Sequence, residues 1–126
     1  MATGSCRILI VDDHADSASL LARLLKMDGH VVQTALTLAA AKTACEKDKF
    51  DLLISDIGLP DGSGCELMQY VRDRYGMRGI ALTGHSEPED IAATQQAGFE
   101  THIVKPVSLP DLSAAIAKIP ECGGLQ

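Results

Sequence analysis

The sequence predicts an α/β fold, a single doubly wound domain with a five-stranded parallel sheet in the order 2-1-3-4-5 and five helices. Three observations predict it. The chain has 126 residues, enough for one ordinary core. Five short apolar runs recur at regular spacing, and between them lie segments with helical periodicity. The runs are almost continuously apolar instead of alternating, the mark of strands covered on both faces.

The first strand is "RILIV" (7 to 11), which runs straight into Asp12 and Asp13. The second is "HVVQTA" (30 to 35) and the third "DLLIS" (51 to 55), followed by Asp56. The fourth is "GIALT" (79 to 83) and the fifth "THIV" (101 to 104), followed by Lys105 and Pro106. Each is too short to be a helix. Leu67, Met68, Val71 and Tyr75 mark one helical face, and Leu112, Ala115, Ile116 and Ile119 another. Ser63-Gly-Cys-Glu66 and Ser86-Glu-Pro-Glu89 match the capping-box pattern, the second with Pro88 in its first turn. Residues 1 to 6 read as an N-terminal extension, 7 to 118 as the domain, and 119 to 126 as a tail or the start of a linker.

Composition narrows the function. Eleven Lys plus Arg against seventeen Asp plus Glu give a net charge of -6, which argues against nucleic acid or an anionic membrane as partner and favours a protein or a cation. Cys6, Cys45, Cys65 and Cys122 follow no zinc or disulfide spacing and read as reduced thiols of a cytoplasmic chain, whose parent protein can still be tethered to a membrane. No apolar run approaches the roughly 20 residues of a membrane span.

In an open parallel sheet, functional groups collect at the carboxyl ends of the strands. Asp12, Asp13, Asp56, Thr83 and Lys105 all fall there. Adjacent carboxylates repel, so the Asp12-Asp13 pair calls for a metal ion, a basic side chain or solvent. With strands one and three as neighbours, Asp13 and Asp56 come within reach of one hard cation, magnesium or manganese in its place. Such an ion commonly completes its shell with phosphate oxygens, to which Lys105 and Thr83 offer an ammonium and a hydroxyl. Asp56, on the central strand and apart from the pair, is the best nucleophile toward phosphorus. Taken singly, each residue has a plainer reading as a turn former, cap or solvated amine; four such features on four strand ends do not. His14 follows the acid pair, within reach of a metal there, but reads first as an exposed side chain in the first turn of a helix because magnesium prefers oxygen; His30 reads as a strand start and Cys65 as an inert thiol.

This set resembles the receiver domain of two-component response regulators, over residues 7 to 118. The matching motifs are "VDD" (11 to 13), Asp56 within "LLISDIGLPDGSG" (52 to 64), Thr83 in "ALTGHS", and "VKP" (104 to 106). The resemblance implies a flavodoxin-like fold and a phosphoprotein switch that assists its own phosphorylation and dephosphorylation without being a turnover enzyme. It implies that Asp56 accepts a phosphoryl group from phosphohistidine on a sensor histidine kinase or a histidine phosphotransfer protein. Asp13, Asp56 and the Gly58 carbonyl would bind Mg2+ directly, Asp12 through a water, and Thr83 and Lys105 would contact the phosphoryl group. It further implies a cis peptide before Pro106 and an output face, with possible dimerisation, formed by helix four, strand five and helix five. Three positions depart from or vary within the pattern. His102 stands where an aromatic switch residue is usual, three positions before Lys105, and Gly58 and His85 occupy the positions that tune phosphoryl lifetime. The loops "DIGLPDGSG" and "KPVSLPDL" are similar in style to receivers of hybrid sensor kinases.

Two rival readings come from other classes. A magnesium-dependent aspartyl-phosphate phosphatase of the haloacid-dehalogenase type would carry its nucleophile in D-x-D after the first strand, a motif this chain lacks. A degenerate receiver acting only as a binding module would lack the acids or Lys105, and they are present.

Overall fold

The computed structural model describes residues 6–84 and 88–119, excepting the side chains of 88–90. The elements follow the order β1 (Arg7–Val11), α1 (Ala15–Met27), β2 (Val31–Ala35), α2 (Leu38–Lys47), β3 (Leu52–Asp56), β4 (Gly58–Leu59), β5 (Gly62–Ser63), α3 (Gly64–Tyr75), β6 (Arg78–Thr83), α4 (Pro88–Ala97), β7 (Thr101–Val104) and α5 (Leu109–Ala117). Five strands form one parallel sheet in the order β2-β1-β3-β6-β7, which is the expected 2-1-3-4-5 once the small β4-β5 hairpin is set aside.

The strands read as continuous apolar runs because their alternate residues serve two cores. Ile8, Ile10, Leu52, Ile54, Ile80 and Leu82 face α1 and α5, meeting Ala18, Leu21, Leu25, Leu112 and Ile116. Leu9, Val11, Leu53 and Ala81 face the other way, against Leu38 and Ala41 of α2, Leu67, Met68 and Val71 of α3, and Ala97 of α4. Both faces are closed, so a truncation such as Leu53→Ala, at a fully buried central position, would cost about 2–5 kcal/mol.

Helix ends are set by side chains. The Ser63 hydroxyl accepts from the Cys65 amide at 3.0 Å to start α3. Thr37 accepts from the Ala40 amide at 3.0 Å to start α2, and Ser108 accepts from the Asp111 amide at 3.4 Å at the head of α5, with Pro110 in the first turn. α3 stops at Gly76, whose φ of 64° is a left-handed conformation suited to glycine. The expected box at Ser86 and the lifetime position His85 lie outside the described residues, as do residues 1–5 and the tail from 120 to 126. Among the described residues no helix is long and apolar enough to cross a membrane.

The cysteines require a correction. Cys45 and Cys65 are free thiols as expected, but Cys6 is disulfide-bonded, and neither of those two is its partner. Cys6 sits at the head of β1 in the core beside Ile116 and Ile119, near the end of the chain, a proximity that spacing along the sequence does not reveal. Burial pushes the Cys45 thiol up to about 11, which leaves it protonated and unreactive at neutral pH.

Candidate functional site

Parallel pairing aligns the strand ends on one rim. Val11 is paired with Ser55, Asp56 with Leu82, and Thr83 with Val104, so the residues following these positions converge where β1, β3, β6 and β7 stop. The cleft they border has a volume of about 320 Å3 and is lined by Asp13, His14, Asp56, Gly58, Thr83 and Gly84 among others. A larger groove of about 700 Å3 runs between α1 and β2, but no carboxylate lines it.

Backbone contacts fix the cleft walls. The Ile57 amide donates to the Leu82 carbonyl at 3.1 Å, and the Gly64 amide donates to the Ile57 carbonyl at 2.7 Å, closing the loop that follows Asp56. Gly64 lies so close to the Asp56 carbonyl that a Cβ there would overlap it. The Lys105 amide donates to the Thr83 carbonyl at 2.7 Å, and the Lys105-Pro106 peptide is cis.

Charge is concentrated and only partly balanced. Asp12 is 1% exposed, Asp56 14% and Asp13 37%, and the ammonium of Lys105 reaches two of the three. Lys105 Nζ lies 3.1 Å from Asp56 Oδ2 and 3.5 Å from Asp12 Oδ2. Burial pulls the Lys105 ammonium toward a lower pKa, but its hydrogen bond with Asp56 and the charges of Asp56 and Asp12 outweigh this, leaving it above the ordinary lysine value. With all three acids ionised against one ammonium, the rim carries a formal excess of two negative charges.

That donor set fits a divalent cation. Asp12, Asp13, His14 and Asp56 each offer a ligand atom, and those atoms all lie within 4.8 Å of one another. Gly58 is exposed and open on its Cα side, so no side chain of its own obstructs the approach to its carbonyl. Carboxylates supplemented by a backbone carbonyl suit magnesium or manganese.

The structure brings Asp12, Asp13, Asp56, Lys105, Thr83 and Gly58 to this rim and leaves His102 apart. His102, half-buried on β7, lines a separate groove with Val104, Asp111 and Lys118 beside α5. Three features were not anticipated from sequence. Lys105 serves Asp12 as well as Asp56. His14, 71% exposed as expected, nevertheless turns its Nδ1 to Asp13 and Asp12, at 3.2 and 3.4 Å. Asp61, at the tip of the β4-β5 hairpin, accepts from the Leu38 and Ala39 amides at 2.8 and 3.0 Å, tying that loop to the head of α2. These bonds, the Leu38 one first, hold the Asp61 carboxyl below the usual range.

Known proteins point the same way. The family described as "Response regulator receiver domain" matches residues 8–117. The KDP operon transcriptional regulatory protein KdpE of Escherichia coli (strain K12) is 34% identical over 109 residues, covering 86% of this chain and 48% of KdpE. The sensory/regulatory protein RpfC of Xanthomonas campestris pv. campestris is 30% identical over 120 residues, 91% of this chain but 16% of RpfC. The chain thus spans about half of one curated relative and a small part of the other. A CheY-like receiver domain structure from Methanospirillum hungatei JF-1 superposes with a TM-score of 0.83 at 34% identity, over 89% of this chain and 90% of that one. A match that spans both cores and every strand of the rim leaves one conclusion: this chain belongs to the response regulator receiver domain family of two-component signalling.

Proposed function

We propose that Asp56 is the phosphoacceptor of this receiver and that its donor is a phosphohistidine on a sensor histidine kinase or a histidine phosphotransfer protein. The observation that carries this reading is the 3.1 Å contact between Asp56 Oδ2 and Lys105 Nζ beside the cleft. It orients a carboxylate on the central strand toward the cleft and keeps an ammonium at the place where phosphoryl charge would accumulate.

In the transfer, an Asp56 carboxylate oxygen forms a bond to phosphorus while the bond from phosphorus to the donor imidazole breaks. The electron pair remains on the leaving nitrogen, and an imidazole protonated on its other nitrogen departs neutral. Lys105 moves its hydrogen bond from the carboxylate to a phosphoryl oxygen, and the buried Thr83 hydroxyl donates to another. Asp13, Asp56 and the Gly58 carbonyl would hold Mg2+, or Mn2+, with Asp12 acting through a water, and the ion would offset charge on the phosphoryl oxygens. The product is a modified protein, so the domain acts as a signalling switch that assists its own phosphorylation and dephosphorylation.

Output is assigned to the face of α4, β7 and α5, with Thr83 and His102 as switch residues and that face as the dimerisation surface. The half-buried position of His102 beside α5 supports it.

The test is intact-mass analysis after incubation with acetyl phosphate. One phosphoryl adduct is expected with Mg2+ or Mn2+, none after chelation, and none in Asp56→Asn. An undiminished adduct in Asp56→Asn would remove Asp56 as the acceptor.

A further inference from the structure

His14 occupies the N-cap position of α1, where Ser, Thr, Asp or Asn ordinarily accepts a hydrogen bond from the first turn. Its side chain makes no capping bond. Its backbone amide instead donates to Asp12 Oδ1 at 3.0 Å, which fixes the turn, and the imidazole lies over the acid pair. Nδ1 is 3.2 Å from Asp13 Oδ1 and 3.4 Å from Asp12 Oδ1.

The spacing to Asp13, the direct ligand, suits neighbouring ligands of one ion. Donors on adjacent corners of an octahedron, each about 2.1 Å from the ion, lie about 3 Å apart. Oxygen donors alone favour hard ions such as magnesium, whereas an imidazole nitrogen adds affinity for cobalt, nickel and zinc, in line with their preference for nitrogen ligands.

We infer that His14 is a nitrogen ligand at the acidic rim and sets metal selectivity, drawing the site toward imidazole-binding transition ions while contributing little to Mg2+. This rests on the cation site described under the proposed function, with Asp13 as its direct ligand.

The experiment compares Mg2+ and Co2+ binding by calorimetry in the full chain, in His14→Asn and in Asp13→Ala, with proton NMR of each Co2+ complex. Asn is itself a good N-cap, so α1 keeps its start. In His14→Asn, Mg2+ affinity is expected to stay within about twofold while Co2+ affinity falls about tenfold or more. A strongly shifted exchangeable imidazole N–H resonance should be present in the wild-type Co2+ complex and missing from His14→Asn. Asp13→Ala should weaken both ions. Unchanged Co2+ affinity in His14→Asn, with both ions still lost in Asp13→Ala, overturns the role of His14 and leaves the acidic site standing. An equal loss of Mg2+ and Co2+ in His14→Asn also overturns it, by showing that His14 positions the carboxylates without ligating. Full affinity for both ions in Asp13→Ala removes the acidic site and this inference with it.

Discussion

The two ends of the sheet handle polar groups in opposite ways. At the amino end, groups are matched nearly one to one. The Cys6 amide donates to His30 Nδ1 at 3.1 Å, the Arg7 amide to Asp51 Oδ2 at 3.0 Å, and Arg78 meets Glu100 at 3.3 Å. At the carboxyl end, three carboxylates stand against one ammonium that reaches only two of them, and the acid with the least access to water, Asp12, is one of the two. The same strands carry both ends, so the difference is not one of fold. A matched end stabilises the protein by itself, whereas an end with surplus negative charge leaves carboxylate oxygens available to a cation.

Replacement of Lys105 by Ala should break this contrast most severely. Asp12 and Asp56 would lose their shared counter-charge, at a cost of about 2–4 kcal/mol in metal-free stability by denaturant melting. Phosphorylation by acetyl phosphate should slow by about 100-fold or more, while calorimetry should show Mg2+ binding retained.

At the opposite end, His30→Ala removes the acceptor of the buried Cys6 amide and should cost about 1–2 kcal/mol without altering phosphorylation. The wild type carries a pH signature of the same contact. Burial lowers the His30 pKa below 6.5, with Asp28 opposing, so the folded state favours the neutral ring that accepts the hydrogen bond. In this window the unfolded chain binds more protons than the folded one. The contribution is therefore complete above pH 6.5 and lost as pH falls through that value toward the lower folded-state pKa. Melting curves of wild type and His30→Ala should converge on acidification.

Asp13→Ala sharpens the contrast with an opposite sign. Relief of repulsion should raise metal-free stability by about 1 kcal/mol while weakening Mg2+ binding more than Asp12→Ala does. The smallest effect belongs to Arg78→Ala, where an exposed ion pair with Glu100 is worth about 0.5 kcal/mol or less in a thermal melt.

The sheet was legible in the sequence because strands buried on both faces announce themselves as unbroken apolar runs, from Ile8 to Val11 and from Leu52 to Ile54. The rim was legible because strand ends on a parallel sheet must converge, which brings Asp12, Asp13, Asp56, Thr83 and Lys105 together without knowledge of any side-chain angle. What escaped depended on angles and distant partners. A hairpin of two-residue strands, Gly58–Leu59 with Gly62–Ser63, is too short to show a period. The bond from Asp61 to α2 joins positions more than twenty residues apart, and the direction of the His14 ring is a choice of rotamer. The disulfide at Cys6 went unseen because thiol spacing carries no record of which thiols the fold brings together.

The 2.7 Å bond from the Lys105 amide to the Thr83 carbonyl couples the two residues assigned to the phosphoryl group through their backbones. A displacement of Thr83 toward a phosphoryl oxygen therefore pulls on Lys105, just past the end of β7 and three residues beyond His102. Mechanically the pair is a short lever: one load applied in the cleft is shared by two strands, and its far arm lies along the edge of the sheet.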